Sequence, residues 1–365
     1  MVGTAAVAVA PRLAGCTPYA GPYGALQAAD GNGLRLPARF SSRVVARTGE
    51  AVAGTSAVWH VAPDGGAAFP AAGGGWTYVS NSEAGAGVGG AGALHFDASG
   101  NVVGTTRVLD GTTRNCAGGP TPWGTWLSCE EYDSGRVWEC DPTGSTAAVA
   151  RPALGLFSHE AAAVDADRGH VYLTEDKPDG RLYRFVPSSY PDLGTGALSV
   201  ATVTAGTVSW LPVPDPSATV GPTRSQVPTS TAFNGGEGAW YAGGKLWFAT
   251  KGDNRVWELD IVRSTLSVIY DAGALTNPVL TGVDNIVRSS SGDLFVAEDG
   301  GDMQLVLLRP DGTLWPFLQL LGHAGSELTG PAFDPSGTRL YFSSQRGPNG
   351  TSPGVTCEVR GPFLP

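Results

Sequence analysis

Six short aromatic and aliphatic segments, each entered through glycine or a turn residue, recur along the 365-residue chain: "GGWTYVSNSE" (74–83), "WGTWLSCEE" (123–131), "RGHVYLTED" (168–176), "GGKLWFATKGD" (243–253), "SGDLFVAED" (291–299) and "GTRLYFSSQR" (337–346). Aligned on Val79, Leu127, Leu173, Phe248, Val296 and Phe342, they lie 48, 46, 75, 48 and 46 residues apart. The long interval contains a Pro/Thr/Ser-rich stretch, 187–231, and without that surplus the period is regular. A period in the high forties carried by strands marks a β-propeller with about four strands per blade. The expected fold is therefore all-β, a six-bladed β-propeller. After the last copy, 354–363 suffices for a third strand only. The segment 39–49 is expected to complete that last blade as an N-terminal strand, leaving no open sheet edge.

The 53 glycines and 27 prolines accompany 42% hydrophobic residues, a mixture that fits turn-rich packed sheet and not disorder. Net charge is −10 and the only lysines are Lys177, Lys245 and Lys251, so there is no basic stripe for a phosphate backbone and no nucleic acid partner is expected. No stretch approaches the roughly 18 apolar residues of a membrane span. Leu13-Ala14-Gly15-Cys16 resembles a bacterial lipoprotein cleavage box, although no charged segment precedes it. Residues 1–34 are read as a signal remnant or N-terminal extension and 35–365 as one propeller domain carrying the 187–231 insertion. Export to the periplasm, cell surface or medium, a lipid anchor at Cys16 and a monomeric state belong to this reading. The five cysteines, at 16, 116, 129, 140 and 357, form no CxxC pair, which leaves neither a zinc knuckle nor a dithiol motif.

In a propeller the innermost strand of each blade leaves one face and the second strand returns to it. Residues just before the first strands (Cys116, Glu160, Glu237, Asp284, Glu327) should thus share a mouth with those just after the second (Glu83, Glu130, Glu131, Glu175, Asp176, Asp253, Glu298, Asp299). So many carboxylates would repel one another unless positive charge lay among them. Calcium takes six to eight hard oxygens, and a lone thiolate suits a softer transition metal such as iron. The alternative is that individual acids cap turns or pair with Arg114, Arg136, Arg181, Arg255 and Arg346. His159 reads as a hydrogen-bonded residue that orients Glu160, and Trp123 and Trp126 as core. P-loop lysine and HExxH motifs are absent.

At "NCAGGPTPWGTWLSCEE", followed by "FSHEAAAVD", "VYLTED", "GEGAWY" and "ELTGPAFDPSGTRLYFS", the chain resembles the PhoX family of exported bacterial alkaline phosphatases from about residue 35 to 350. The resemblance implies a six-bladed propeller whose channel mouth combines iron with calcium and hydrolyses phosphate monoesters. It implies Cys116 as the thiolate on iron and Glu160 and Glu237 as metal-binding carboxylates, these three being the catalytic candidates. Glu131, Asp284, Glu298 and Asp299 complete the expected metal ligands, and Asn115 and His159 would steady them from behind. The family carries an arginine two residues before the glutamate matched to Glu237, whereas this chain has Gly235. Lys251 and Arg346 are the candidates to bind the small phosphate ester in its place. Two other readings stay open: a calcium-dependent propeller hydrolase of another substrate, lactonase-like, and a non-catalytic exported binding propeller.

Overall fold

The computed structural model describes residues 21–85, 87–351 and 353–365; Cys16, the expected lipid attachment point, lies outside them. Among the described residues helix is confined to five three-residue 3-10 turns, and no helix is long and apolar enough to cross a membrane. The strands form five sheets. The first (Pro63–Pro70, Trp76–Ser82, Gly89–Phe96, Val102–Thr112) and second (Asn115–Pro120, Trp126–Glu130, Val137–Cys140, Val149–Ala150) are four-stranded antiparallel meanders. The fourth (Val283–Arg288, Leu294–Glu298, Gln304–Leu308, Leu314–Leu320) and fifth (Leu328–Phe333, Arg339–Ser344, Val355–Arg360) follow the same plan.

The third sheet has nine strands where the repeat predicts two separate blades. It runs His159–Asp165, His170–Glu175, Leu182–Ser189, Asp192–Thr204 and Thr207–Pro212, then Thr265–Asp271, Arg255–Asp260, Lys245–Thr250 and Gly236–Ala242. Its halves meet at one residue pair, Thr207 opposite Thr265. Much of the stretch 187–231 is therefore sheet: Asp192–Thr204 is a fourth strand, and Thr207–Pro212 is the extra fifth that bridges to the next run. The six first strands, beginning at Pro63, Asn115, His159, Gly236, Val283 and Leu328, contact one another in a closed ring in chain order. The whole is an all-β, propeller-like fold.

The chain ends clasp the ring. Leu34–Arg35 pairs with Gln319–Leu320 of the fourth sheet, and Ser41–Arg47 pairs with Val355–Arg360 as the outer strand of the fifth. Aromatic residues from both ends lock this seam, with ring centroids 5.4 Å apart for Tyr23 and Phe40, 5.0 Å for Phe40 and Phe363, and 5.1 Å for Phe295 and Phe317. These are edge-to-face contacts, each worth about 0.5–1.5 kcal/mol beyond the area buried. Residues 21–34 thus pack onto the body.

Candidate metal centre

Each of the first five first-strands opens with one paired residue, breaks register, and resumes: Pro63/Gly66, Asn115/Gly118, His159/Ala162, Gly236/Ala239 and Val283/Ile286 flank the breaks. In each break two residues oppose one on the partner strand, which is a β-bulge, a device that bends the strand and re-aims a side chain. The first bulged residue is Asp64, Cys116, Glu160, Glu237 and Asp284 in turn. In the last of the six first strands the bulge falls at Gly330–Pro331, and Glu327, just before the strand, brings the carboxylate. One backbone device, repeated, thus aims five acid or thiol groups at the ring's centre.

Small residues beside these groups let the strands close in. A Cβ on Gly65 would lie 2.5 Å from Ala117 Cα, and one on Gly238 would lie 2.6 Å from Asn285 Cα, so neither position admits a side chain. Polar side chains stitch neighbouring sheets at the same level. Asn81 Nδ2 donates to the Cys116 and Ala117 carbonyls at 3.0 and 2.7 Å, and Thr174 Oγ1 donates to the Glu237 carbonyl at 2.7 Å. Asn285 Oδ1 accepts from Gly330 N at 2.7 Å. Below the acids the channel narrows to a void of about 30 Å³, room for little more than a water.

The result is a crescent of four overlapping clusters, in each of which one ligand atom per residue lies within 4.8 Å of the others: Asp64–Glu83–Cys116, Cys116–Glu131–Glu160, Glu160–Glu237–Asp284 and Asp284–Asp299–Glu327. Cys116, Glu160 and Asp284 are shared between neighbours. Glu160 is 1% exposed, and neither of its carboxylate oxygens has a hydrogen-bond partner. Burial and the carboxylates of Glu237 and Asp284 push its pKa well up. Burial, then Asp64 and Glu160, do the same to the Cys116 thiol, which rests 3.7 Å from Asp64 Oδ2. Burial lifts Glu131 to about 8 against the pull of Arg114, and Asp284 to about 7 against that of Lys251. Such groups either hold protons or share a cation, and a cation inverts these shifts. Hard oxygens without partners beside a single sulfur are a donor set that fits calcium and a softer metal side by side.

Lys251 Nζ lies 2.8 Å from Glu237 Oε1, a contact without hydrogen-bond angles, and 3.3 Å from Asp299 Oδ2. Burial works against its charge, but Glu237, Asp284 and Asp299 overcome that and raise its pKa. Arg346 pairs with Glu327 at 2.6 Å and Asp299 at 3.5 Å. Gly235 has φ +67, donates its N–H to the Lys177 carbonyl and accepts from Lys251 N at 2.8 Å. Left-handed backbone there suits glycine and would strain an arginine.

Not every expected ligand joins the crescent. Glu298 sits at the end of the second strand with its carboxylate turned away, accepting from Thr281 N and Gln304 N at 2.9 Å each. Glu130 braces Thr113 N in the same way, Glu175 binds Tyr183 and Arg224, and Asp253 pairs with Arg255. Strand alternation decides this: of the adjacent acids 130/131, 175/176 and 298/299, the first pairs within the sheet and the second lies past the strand end. Residues equivalent by pairing are Ser82, Glu130, Glu175, Thr250 and Glu298, so the alignment on Val79 and Leu127 is one residue out of step with the later copies. His159 stacks on Phe157 at 3.6 Å and donates from Nε2 to the Gly155 carbonyl, and burial lowers its pKa to about 3. Asn115 donates to Ser128 Oγ at 2.9 Å, behind the Cys116 backbone. Sequence reasoning missed Asp64, Asn81 and Gln345, whose amide contacts Asp64 and donates to Glu83 at 2.9 Å.

A family profile described as Alkaline phosphatase PhoX matches residues 74–138 and 132–256, together half of the chain. Comparison with curated proteins gives no match. Among solved structures the chain is similar to Pseudomonas fluorescens PhoX in complex with vanadate, a transition state analogue, at 17% identity and TM-score 0.72, over 92% of this chain and 97% of that one. It is similar to a Xanthomonas campestris gluconolactonase at 14% identity and TM-score 0.57, over 93% and 99% of the two chains. A Bacteroides thetaiotaomicron protein of unknown function matches at 9% identity and TM-score 0.57, over 88% and 76%. At these identities the likeness is one of fold.

Proposed function

Because the chain belongs to the PhoX alkaline phosphatase family and is thus a phosphatase, we propose that it hydrolyses small phosphate monoesters at the acid crescent, using bound iron and calcium. The observation that carries this reading is Glu160: a fully buried carboxylate with two unpartnered oxygens, set between Cys116 and Asp284. An uncompensated buried carboxylate costs several kcal/mol, and a cation offsets it. Cys116, Glu131 and Glu160 would hold iron, with Asp64, Glu83, Glu237 and Asp284 supplying oxygens for calcium. Bound there, such ions supply Lewis-acid charge to the phosphoryl oxygens and lower the pKa of water.

The protein's own groups do the remaining work. Lys251 and Arg346, about a third exposed at the crescent's outer end, present cations to an incoming phosphate, the role that Gly235 cannot fill. Asn81 and Thr174 fix the backbone that carries Cys116 and Glu237, so the acids are held before substrate arrives. The closed ring of six first strands supports reading the nine-stranded sheet as two blades fused at Thr207–Thr265, giving a six-bladed propeller with residues 41–47 closing the last blade. Export and a monomeric state complete the proposal.

Purified protein should hydrolyse p-nitrophenyl phosphate at alkaline pH, and Cys116→Ala should abolish turnover. Metal-replete protein that leaves a panel of phosphate monoesters intact contradicts the reading. Glu160, Glu237 and Asp284 form a cluster without sulfur, which favours as second reading a calcium-dependent hydrolase of lactones. Lactone opening that survives intact in Cys116→Ala would select it.

A further inference from the structure

At the opposite end of the strands from the acids, where the two halves of the nine-stranded sheet meet, lies a cleft of about 190 Å³. Asp165 and His170 pair at the turn that closes it, whereas Glu160 stands at the other end of the same strand, five residues and about 16 Å away. Arg168, His170, Tyr172, Arg184, Trp210 and Ile261 contribute to its walls. The Arg184 guanidinium lies 4.8 Å from the centroid of Trp210. Among the described residues no carboxylate forms an ion pair with it, and its Nε is buried without a hydrogen-bond partner. That is unexpected in a chain of net charge −10.

The neighbouring charged groups have partners of their own, Asp167 accepting from the Tyr241 hydroxyl at 2.7 Å. Arg168 pairs with Asp165 at 3.4 Å, and Asp165 also accepts from the Asp167 and Arg168 backbone. Arg263, on the neighbouring turn, pairs with Asp260 at 2.6 Å. His170 has a buried, unpartnered Nδ1, and its pKa is lowered by burial and then by Arg184, so at neutral pH it adds no charge. Among the described residues that line the cleft, Arg184 is thus a guanidinium without a carboxylate partner, flanked by a tryptophan, a tyrosine and an isoleucine.

We propose that this cleft binds a small organic carboxylate, with the Arg184 guanidinium on the carboxylate and the flat apolar body against Trp210. One guanidinium without a carboxylate partner suits a monoanion better than a dianionic phosphate, and it presents two parallel donors to a carboxylate. The volume falls below the ~300–1,000 Å³ of drug-sized sites, which limits the occupant to about the size of benzoate. The cleft exists because Thr207–Pro212 adds a strand that bridges two runs, which gives the 187–231 stretch a purpose remote from the acid crescent.

Isothermal titration of the intact protein with sodium benzoate, benzyl alcohol and inorganic phosphate tests this. Arg184→Met keeps an unbranched stem on Trp210 while removing the charge. Benzoate should bind at least tenfold more tightly than benzyl alcohol or phosphate, and at least tenfold more weakly to Arg184→Met. Should that variant not fold, Arg184→Lys, which keeps the charge without the fork, should still weaken benzoate several-fold. No benzoate binding, equal binding of phosphate, or affinity unchanged in the variants overturns the proposal. Comparing wild type with variant separates this site from any anion binding at the acid crescent.

Discussion

The two ends of the acid crescent hold similar carboxylates and very different neighbours. At one end Asp284, Asp299 and Glu327 face Lys251 and Arg346, so the protein supplies its own positive charge. Toward the other, Cys116 and the central Glu160 have, among the described residues, no cation in contact; Arg114 pairs with Glu83 and Glu131 from a half-exposed rim position. Lys251 occupies the position just past the second strand that is acidic in its counterparts Glu83, Glu131, Asp176 and Asp299. A fixed ammonium thus replaces an acid in one sector of the ring, neutral Gln345 fills the sixth position, and charge from outside is needed in the sectors that Lys251 and Arg346 do not reach.

Altering Glu160 should break the contrast most severely. Glu160→Gln should lose metal and reduce phosphatase turnover by roughly 1,000-fold or more, since metal charge contributes several kcal/mol to phosphoryl transfer and each 1.36 kcal/mol is tenfold. The same variant, stripped of metal, should melt higher than stripped wild type, because an unpaired buried acid is gone. Turnover and thermal denaturation check both signs.

Lys251→Met should make the two ends alike. Turnover should fall about 100-fold, in line with loss of a charged transition-state contact. Calcium content measured by elemental analysis should rise, because Glu237 and Asp299 lose their internal partner. Unchanged calcium content would mean that the ammonium does not stand in for an ion.

Stability against pH sharpens the comparison in metal-stripped protein. Asp284 and Glu131, at about 7 and about 8, titrate well above the usual carboxylate values of about 4. The folded state therefore holds protons that the unfolded state has released, and stability is greatest below about pH 4 as far as these groups are concerned. It is lost as pH rises through 7–8. The thermal midpoint of stripped protein should fall by several degrees between pH 5 and 9, and added calcium should flatten the dependence.

The smallest effect belongs to Glu298→Gln. Its carboxylate holds two backbone N–H groups and touches no cluster, so stability should drop by about 1–3 kcal/mol with metal content unchanged. Loss of metal in that variant would return Glu298 to the crescent.

Convergence of acids at one mouth was legible in the sequence because the repeat fixes where strands start and stop, which groups Cys116, Glu160, Glu237 and Asp284 without any knowledge of side-chain direction. Three things were not legible. Asp64 sits in Pro-Asp-Gly-Gly, which reads as a turn signal, and only the bulge shows it to be the counterpart of Cys116. Which member of an acid pair reaches the crescent depends on a period of two, so a one-residue slip moves the assignment from Asp299 to Glu298. The extra strand Thr207–Pro212 arises from a stretch whose Pro, Ser and Thr content suggests loop, and its pairing with a distant strand leaves no local pattern.

Elemental analysis of wild type and Glu160→Gln, purified in parallel, addresses the central claim most directly. Wild type should carry both iron and calcium, and the variant should have lost most of its iron. Wild type that takes up neither metal when offered both, or a variant with the same content as wild type, would contradict a cation cage centred on Glu160.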